Sequence, residues 1–325
     1  MSGVETVVRH TLKLGLWLMV AAGAAGATFE RKVERTCSAE PGARVAVEVS
    51  YGSIRVVAVS GAEVRVTLTQ SADLANDAAA EREWKNVNLE IEPSGSGAVR
   101  IRANDRRSLR WSWEKWPPST VALEVAVPPG AELDLLTRQG DVTVADGMNA
   151  VRVRDLSGAV FVGQVAGAVT IEAGQGDVTL TDCGGELRVV ADSGSVLVGR
   201  ARSSAELTLS AGNLEVQRAN GRLRADVASG ELKVGLANPL GGEVSLKGNG
   251  DVILALGPRT RATIDARTEP PGLIHVRDLV LTPRAGHTGE PSLEGDVNGG
   301  GPRVVARSKG GNIRLIGLPD DLAGK

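Results

Sequence analysis

The chain has 325 residues, and its 37 Lys and Arg nearly balance 39 Asp and Glu, so no global field would hold it on nucleic acid or an anionic bilayer. With only 2 Phe, 1 Tyr and 5 Trp against many Val, Leu, Ile and Ala, an aromatic-rich core is excluded and thin layers of small, mostly β-branched side chains are expected. Two Cys and three His leave little material for a structural zinc site, and no metal or cofactor is expected.

In chain order, Arg9, His10 and Lys13 precede an apolar stretch from Leu14 to Ala22, and a small-residue run ends at Ala25-Gly26-Ala27. This is the pattern of a cleavable secretory signal peptide over residues 1–27. Its apolar core falls short of the ~20 residues that a spanning helix needs, which makes a retained anchor the lesser alternative. The expected location is the periplasm, the medium or the cell surface, with membrane contact only transient.

Residues 28–130 read as an N-terminal β-rich region. Val45, Val47 and Val49 alternate with polar residues, as do Val64, Val66 and Leu68, and Gly52-Ser-Ile-Arg-Val56 lies between them. The Ala- and Glu-rich segment Ser71 to Trp84 is the one helix expected. Strands resume at Val87 to Glu92 and Val99 to Arg102, before a cluster of Trp111, Trp113 and Trp116 preceded by Arg106, Arg107 and Arg110. A strand from Val121 to Val127 ends at the turn Pro128-Pro129-Gly130.

From residue 131 a regular repeat takes over and is expected to run to 325. Gly140-Asp-Val-Thr-Val144, Gly158-Ala-Val-Phe-Val162, Gly176-Asp-Val-Thr-Leu180, Gly194-Ser-Val-Leu-Val198, Gly212-Asn-Leu-Glu-Val216 and Gly230-Glu-Leu-Lys-Val234 recur every eighteen residues. Weaker copies stand midway, so the unit is nine residues and the repeat is two units. Apolar and polar residues alternate after each Gly, which predicts one short strand per unit with one buried face. The expected fold is all-β: a β-solenoid of 18-residue turns, each made of two 9-residue units, with one short N-terminal helix. An antiparallel β-sandwich or meander is the alternative, because alternation alone does not order strands in space. The spacing slips at Gly250, the residues from 283 to 302 read as a long Gly- and Pro-rich loop, and Gly311-Asn-Ile-Arg-Leu315 predicts a return to the stack.

The string Val121-Ala-Leu-Glu-Val-Ala-Val-Pro-Pro-Gly-Ala-Glu-Leu133, the Gly-Asp-Val repeats, Gly52-Ser-Ile-Arg-Val56 and Gly311-Asn-Ile-Arg-Leu315 together resemble the bacterial putative-adhesin family, a domain-of-unknown-function family of β-strand-repeat envelope proteins. The resemblance covers most of the chain after the leader. It implies an envelope-associated, non-enzymatic protein and brings no active-site residues to carry over.

No catalytic constellation stands out. His275 has a strand-like setting and His287 sits beside Gly286 in the expected loop. A glycosidase would need two convergent carboxylates, but Asp141 and Asp177 fall two rungs apart, a spacing that suits turn capping better than catalysis. Cys37 and Cys183 are a candidate disulfide in an oxidising compartment, against which stands the position of Cys37 near the N-terminus. Two outward columns are expected. One, Arg152, Thr170, Arg188, Glu206 and Arg224, is charged; the other, Thr143, Phe161, Thr179, Leu197, Glu215 and Lys233, places Phe161 and Leu197 where polar groups belong. The expected function is a scaffold that binds an envelope protein or glycan, with self-association as a further option. A carbohydrate-binding module using Trp111, Trp113 and Trp116 is the alternative, and a polysaccharide-degrading enzyme the least favoured.

Overall fold

Parallel pairing at an eighteen-residue offset organises the molecule. The computed structural model describes residues 27–94, 97–105 and 119–319. Among these residues twenty-seven strands form two open sheets, of thirteen and fourteen strands, and one helix lies apart from them in the strand order. In the thirteen-stranded sheet Val142, Val160, Val178, Val196, Leu214 and Leu232 stand in register, and so do Val144, Val162, Leu180, Val198, Val216 and Val234. The fourteen-stranded sheet has its own inward columns, Val151, Val169, Leu187, Ala205 and Leu223 being one. All of these residues are buried, and the buried side chains of both sheets form one continuous cluster. From Glu132 to Leu256 every strand pairing is parallel, so the repeats do not form the antiparallel meander that alternation alone left open.

Glycine at the head of each unit is a requirement of this stacking. Gly176 and Gly194 have φ of +130° and +118°, and a Cβ on either would land on the carbonyl oxygen of the glycine one turn earlier. The Asx residues that follow bond between rungs. An Asp141 Oδ1 accepts from Ala159 N–H at 2.9 Å, Asp177 from Ser195 N–H at 2.8 Å and Asn213 from Glu231 N–H at 3.0 Å. These side-chain oxygens therefore cap backbone in the next turn, which for Asp141 and Asp177 is the role the sequence favoured, although the bonded N–H lies eighteen residues away.

Both ends are built from excursions of the chain. The strand Arg44–Val49 pairs in parallel with Glu132–Thr137, and Ser53–Ala58 pairs with Val142–Val144. Beyond that rung the ladder adds Ala98–Asp105 and Thr120–Val127, still parallel to Arg44–Val49 and Ser53–Ala58, and closes with the antiparallel strands Glu63–Leu74 and Ala27–Ser38 in one sheet and Val87–Ser94 in the other. At the far end Val304 and Ile313 pair with Val244 and Val252, which brings the last Gly311 copy back onto the stack. Ala262–Thr268 and Ile274–Arg277 add one more parallel rung on Arg303–Ser308 and Ile313–Gly317, and the antiparallel strands Ser292–Val297 and Leu281–Gly286 follow Ala262–Thr268 at the edge of its sheet.

Three local expectations need correction. The helix, α1, runs Asp77–Trp84 and not from Ser71. Ser71 to Leu74 belong to the strand Glu63–Leu74, whose alternation buries Val64, Val66, Leu68 and Ala72, while Asn76 caps the helix through a bond from Ala79 N–H to its Oδ1 at 2.9 Å. The 283–302 loop contains much of a hairpin: Leu281–Gly286 and Ser292–Val297 pair antiparallel, with Leu293 and Val297 buried. Its Gly and Pro residues punctuate short strands, which composition alone reads as loop. Finally, Cys37 and Cys183 are free thiols. Six strand spacings separate their strands in the thirteen-stranded sheet, roughly 29 Å at ~4.8 Å each, far beyond disulfide reach.

Candidate functional site

Of the residues singled out from the sequence, Trp111, Trp113 and Trp116 lie outside the described residues. Phe161 and Leu197 are brought together: they stand in one outward column of the thirteen-stranded sheet, with Thr179 between them. Phe161 is 43% exposed and Leu197 half-buried. The alternation sends the third residue after each leading Gly outward, so these side chains face solvent by the same rule that buries their neighbours.

Just past this column the alternation breaks. Val162 and Val165 both point inward, so Gly163 and Gln164 span a bend, and the same happens in later turns. Beyond the bend Gln164, Asp182, Arg200 and Arg218 form a second outward column in register. Between the two columns, Gly163, Thr181, Gly199 and Gln217 occupy the matching position of successive turns. The result is an open recess of about 660 Å³ centred on Gly199, bounded by Leu197 on one side, Arg200 on the other, and Thr181 and Gln217 before and after. Asp182 is buried and held by Arg202, whose Nε donates to Oδ1 at 2.8 Å while a terminal nitrogen donates to Oδ2 at 2.5 Å. The hydrogen bond and negative charge of Asp182 push the Arg202 pKa above its ordinary value. Arg200 stands 3.7 Å from the same carboxylate.

The other outward face is occupied by ion pairs. Arg188 meets Glu206 at 2.6 Å and Arg152 meets Glu172 at 3.2 Å. Near its far end Asp265 is buried among Arg267, Arg303 and Arg307. Burial would raise the pKa of Asp265, but bonds from Arg307 and Arg303 and the charges of Arg307 and Arg267 override it and hold the carboxyl below its usual range. Another buried carboxylate, Asp155, is 4% exposed. Burial, reinforced by the charge of Asp141 and opposed by a bond from Ser157 N–H, pushes its pKa up to about 6. Burial likewise pushes the Cys183 thiol up to about 11.

His275 is exposed in the strand Ile274–Arg277, in register with Arg314, and His287 stands 3.6 Å from Glu290 in the turn of the hairpin. Among the described residues no group of three His, Cys, Asp or Glu is placed to hold a metal. No helix among them is long and apolar enough to cross a membrane. The recess and its arginines were not singled out from the sequence. Their signal was a second period: Gly163, Gly199 and Gly235 recur every thirty-six residues, five places after every other leading Gly.

No protein-family model matches the chain, and no curated protein matches it. Solved structures that it is similar to include a putative cell adhesion protein from Clostridium sporogenes, at 10% identity and a TM-score of 0.23 over 89% of this chain and 100% of that one. A putative adhesin from Bacteroides fragilis is similar at 10% identity and a TM-score of 0.31, over 89% and 97%. A putative lipid binding protein from Parabacteroides distasonis is similar at 11% identity and a TM-score of 0.31, also over 89% and 97%.

Proposed function

We propose that the chain is an exported, non-enzymatic, adhesin-like β-solenoid scaffold that binds a cell-envelope or extracellular component through the outer face of its thirteen-stranded sheet. In this reading residues 1–27 are a signal peptide, residues 28–130 an N-terminal β-rich region, and residues 131–325 the repeat domain, with each eighteen-residue turn one coil. The observation that carries it is the column of Phe161, Thr179 and Leu197, which holds apolar groups outward at two-turn spacing beside a recess rimmed by arginine. A parallel ladder fixes such side chains at a regular pitch, so a partner with its own repeat can make several contacts without ordering loops. The opposite face, with its charges paired, offers less to a partner.

The test is retention of envelope components on immobilised mature chain, beside a Phe161→Ala/Leu197→Ala variant shown to keep its far-UV spectrum and melting temperature. A component retained by the parent and at least about tenfold less by the variant, an effect on the scale of about 1.4 kcal/mol, is the expected result. Equal retention by both would move the binding site off this face.

A further inference from the structure

The recess over Gly199 has features that specify a ligand more narrowly. Its floor is set by Gly199, where a Cβ would strike the carbonyl oxygen of Thr181, while the exposed side chains of Thr181 and Gln217 rise before and after it. Thr179 and Gln164 add a hydroxyl and an amide to the rim. Of the two leucines that line the recess Leu180 is fully buried and Leu197 half-buried, and Phe161 stands two turns from Leu197, about 10 Å at the strand spacing.

Charge is uneven here. Arg200, Arg202 and Arg218 line the recess against the single acid Asp182, although the chain as a whole has a formal charge of −2. Asp182 is taken up by Arg202 through two bonds, and Arg200 lies at 3.7 Å from it with its side chain 38% exposed. An arginine in that setting can turn its planar fork to an incoming carboxylate.

We infer that this recess is a subsite for an acidic sugar residue of an extended glycan lying along the axis of the ladder, an inference that rests on the reading of this face as the binding face. The carboxylate is bound by Arg200, the ring hydroxyls by Thr179, Thr181 and Gln217, and the apolar C–H face of a ring rests on Leu197. The next turns repeat the outward positions at ~4.8 Å, close to the length that one pyranose adds to an extended chain, so neighbouring sugars reach Phe161 without bending the polymer. A lipid tail would need a closed apolar slot, whereas this recess is open and rimmed by hydroxyl, amide and guanidinium groups.

The experiment is titration of the mature chain with hexagalacturonate, with the neutral hexamer cellohexaose and with vesicles rich in an anionic phospholipid, using the parent, Arg200→Gln and the opposite-face control Arg188→Gln. Binding of hexagalacturonate at least about tenfold tighter than cellohexaose, weakened at least about tenfold by Arg200→Gln and unchanged by Arg188→Gln, is the expected result. Arg200 is a surface residue, and a melting curve of the variant that overlays the parent shows that the loss is local. Equal binding of the two hexamers, or binding of vesicles alone, would overturn the inference. Envelope retention that depends on Phe161 and Leu197 with no binding of hexagalacturonate would overturn it while leaving the proposed function standing; loss of both would remove the two together.

Discussion

The middle of the ladder and its two ends obey different rules. Between Glu132 and Leu256 each turn lies on the previous one in parallel register, and at the corners headed by Gly140 to Gly230 the backbone passes so close to its neighbour that only glycine fits. At the ends, one more parallel rung is followed by strands that leave that register and pair antiparallel: Glu63–Leu74, Ala27–Ser38 and Val87–Ser94 at one end, Ser292–Val297 and Leu281–Gly286 at the other. A parallel stack presents unpaired N–H and C=O groups at each end, an invitation to a further copy. At three of the four sheet edges an antiparallel strand replaces that repeating edge with one that the next parallel turn does not match, and at the fourth the parallel strand Ile274–Arg277 is only four residues long. Repetition thus maximises contact in the middle, and irregularity limits it at the ends.

The largest expected effect separates the two kinds of glycine. Gly194→Val places a side chain on the carbonyl of Gly176 at a φ of +118°, and a loss of about 3 kcal/mol or more in urea unfolding is expected. Gly289→Ala, at a φ of +87° with open space around it, is expected to cost only about 1 kcal/mol. Equal losses would mean that corner crowding does not distinguish the ladder from the hairpin.

The next effect concerns acidity inside the ladder. Asp155 occupies an inward column between Thr137 and Ala173, and its pKa is raised from 3.8 to about 6. Because the folded state holds the proton more tightly, its contribution to stability is complete below the unfolded value and is lost as pH rises through about 6. Asp155→Asn should therefore gain on the parent between pH 4 and 8, by up to about 3 kcal/mol. Asp265, in the end region, has a lowered pKa, so its contribution is present above the unfolded value and lost as pH falls through the folded one. A parent-minus-variant difference that stays flat across that range would show that Asp155 is not held in a dehydrated setting.

The smallest effect tests the bonds between turns. Asp177→Ala removes the acceptor for Ser195 N–H, and because the side chain is exposed a cost of about 1 kcal/mol is expected. A melting temperature unchanged within error would assign that N–H to water.

Legibility followed the same division. The columns through Val142 and Val144 could be read directly, since one eighteen-residue offset fixes both register and facing, and Gly140 to Gly230 carry it without interruption. At Ser71 to Leu74 a tertiary partner decided the outcome: Gln70 and Ser71 pair with Val121 and Thr120, and this outweighs the helix propensity of the Ala-rich segment that follows. The hairpin at 281–297 was hidden because each of its strands is six residues long and contains Gly or Pro. At the candidate site Phe161 and Leu197 stood out as apolar residues in polar slots. The arginines did not, because Arg200 and Arg218 meet Gln164 only after a bend that shifts facing by one residue.

The closure of both ends by excursions, with the first and last rungs seated directly on the stack, makes length an independent variable. Removing or adding eighteen residues between Gly158 and Gly230 would change the span of the protein by ~4.8 Å and leave either terminus as it is. The molecule is in that sense a ruler whose end-pieces do not depend on how many divisions lie between them.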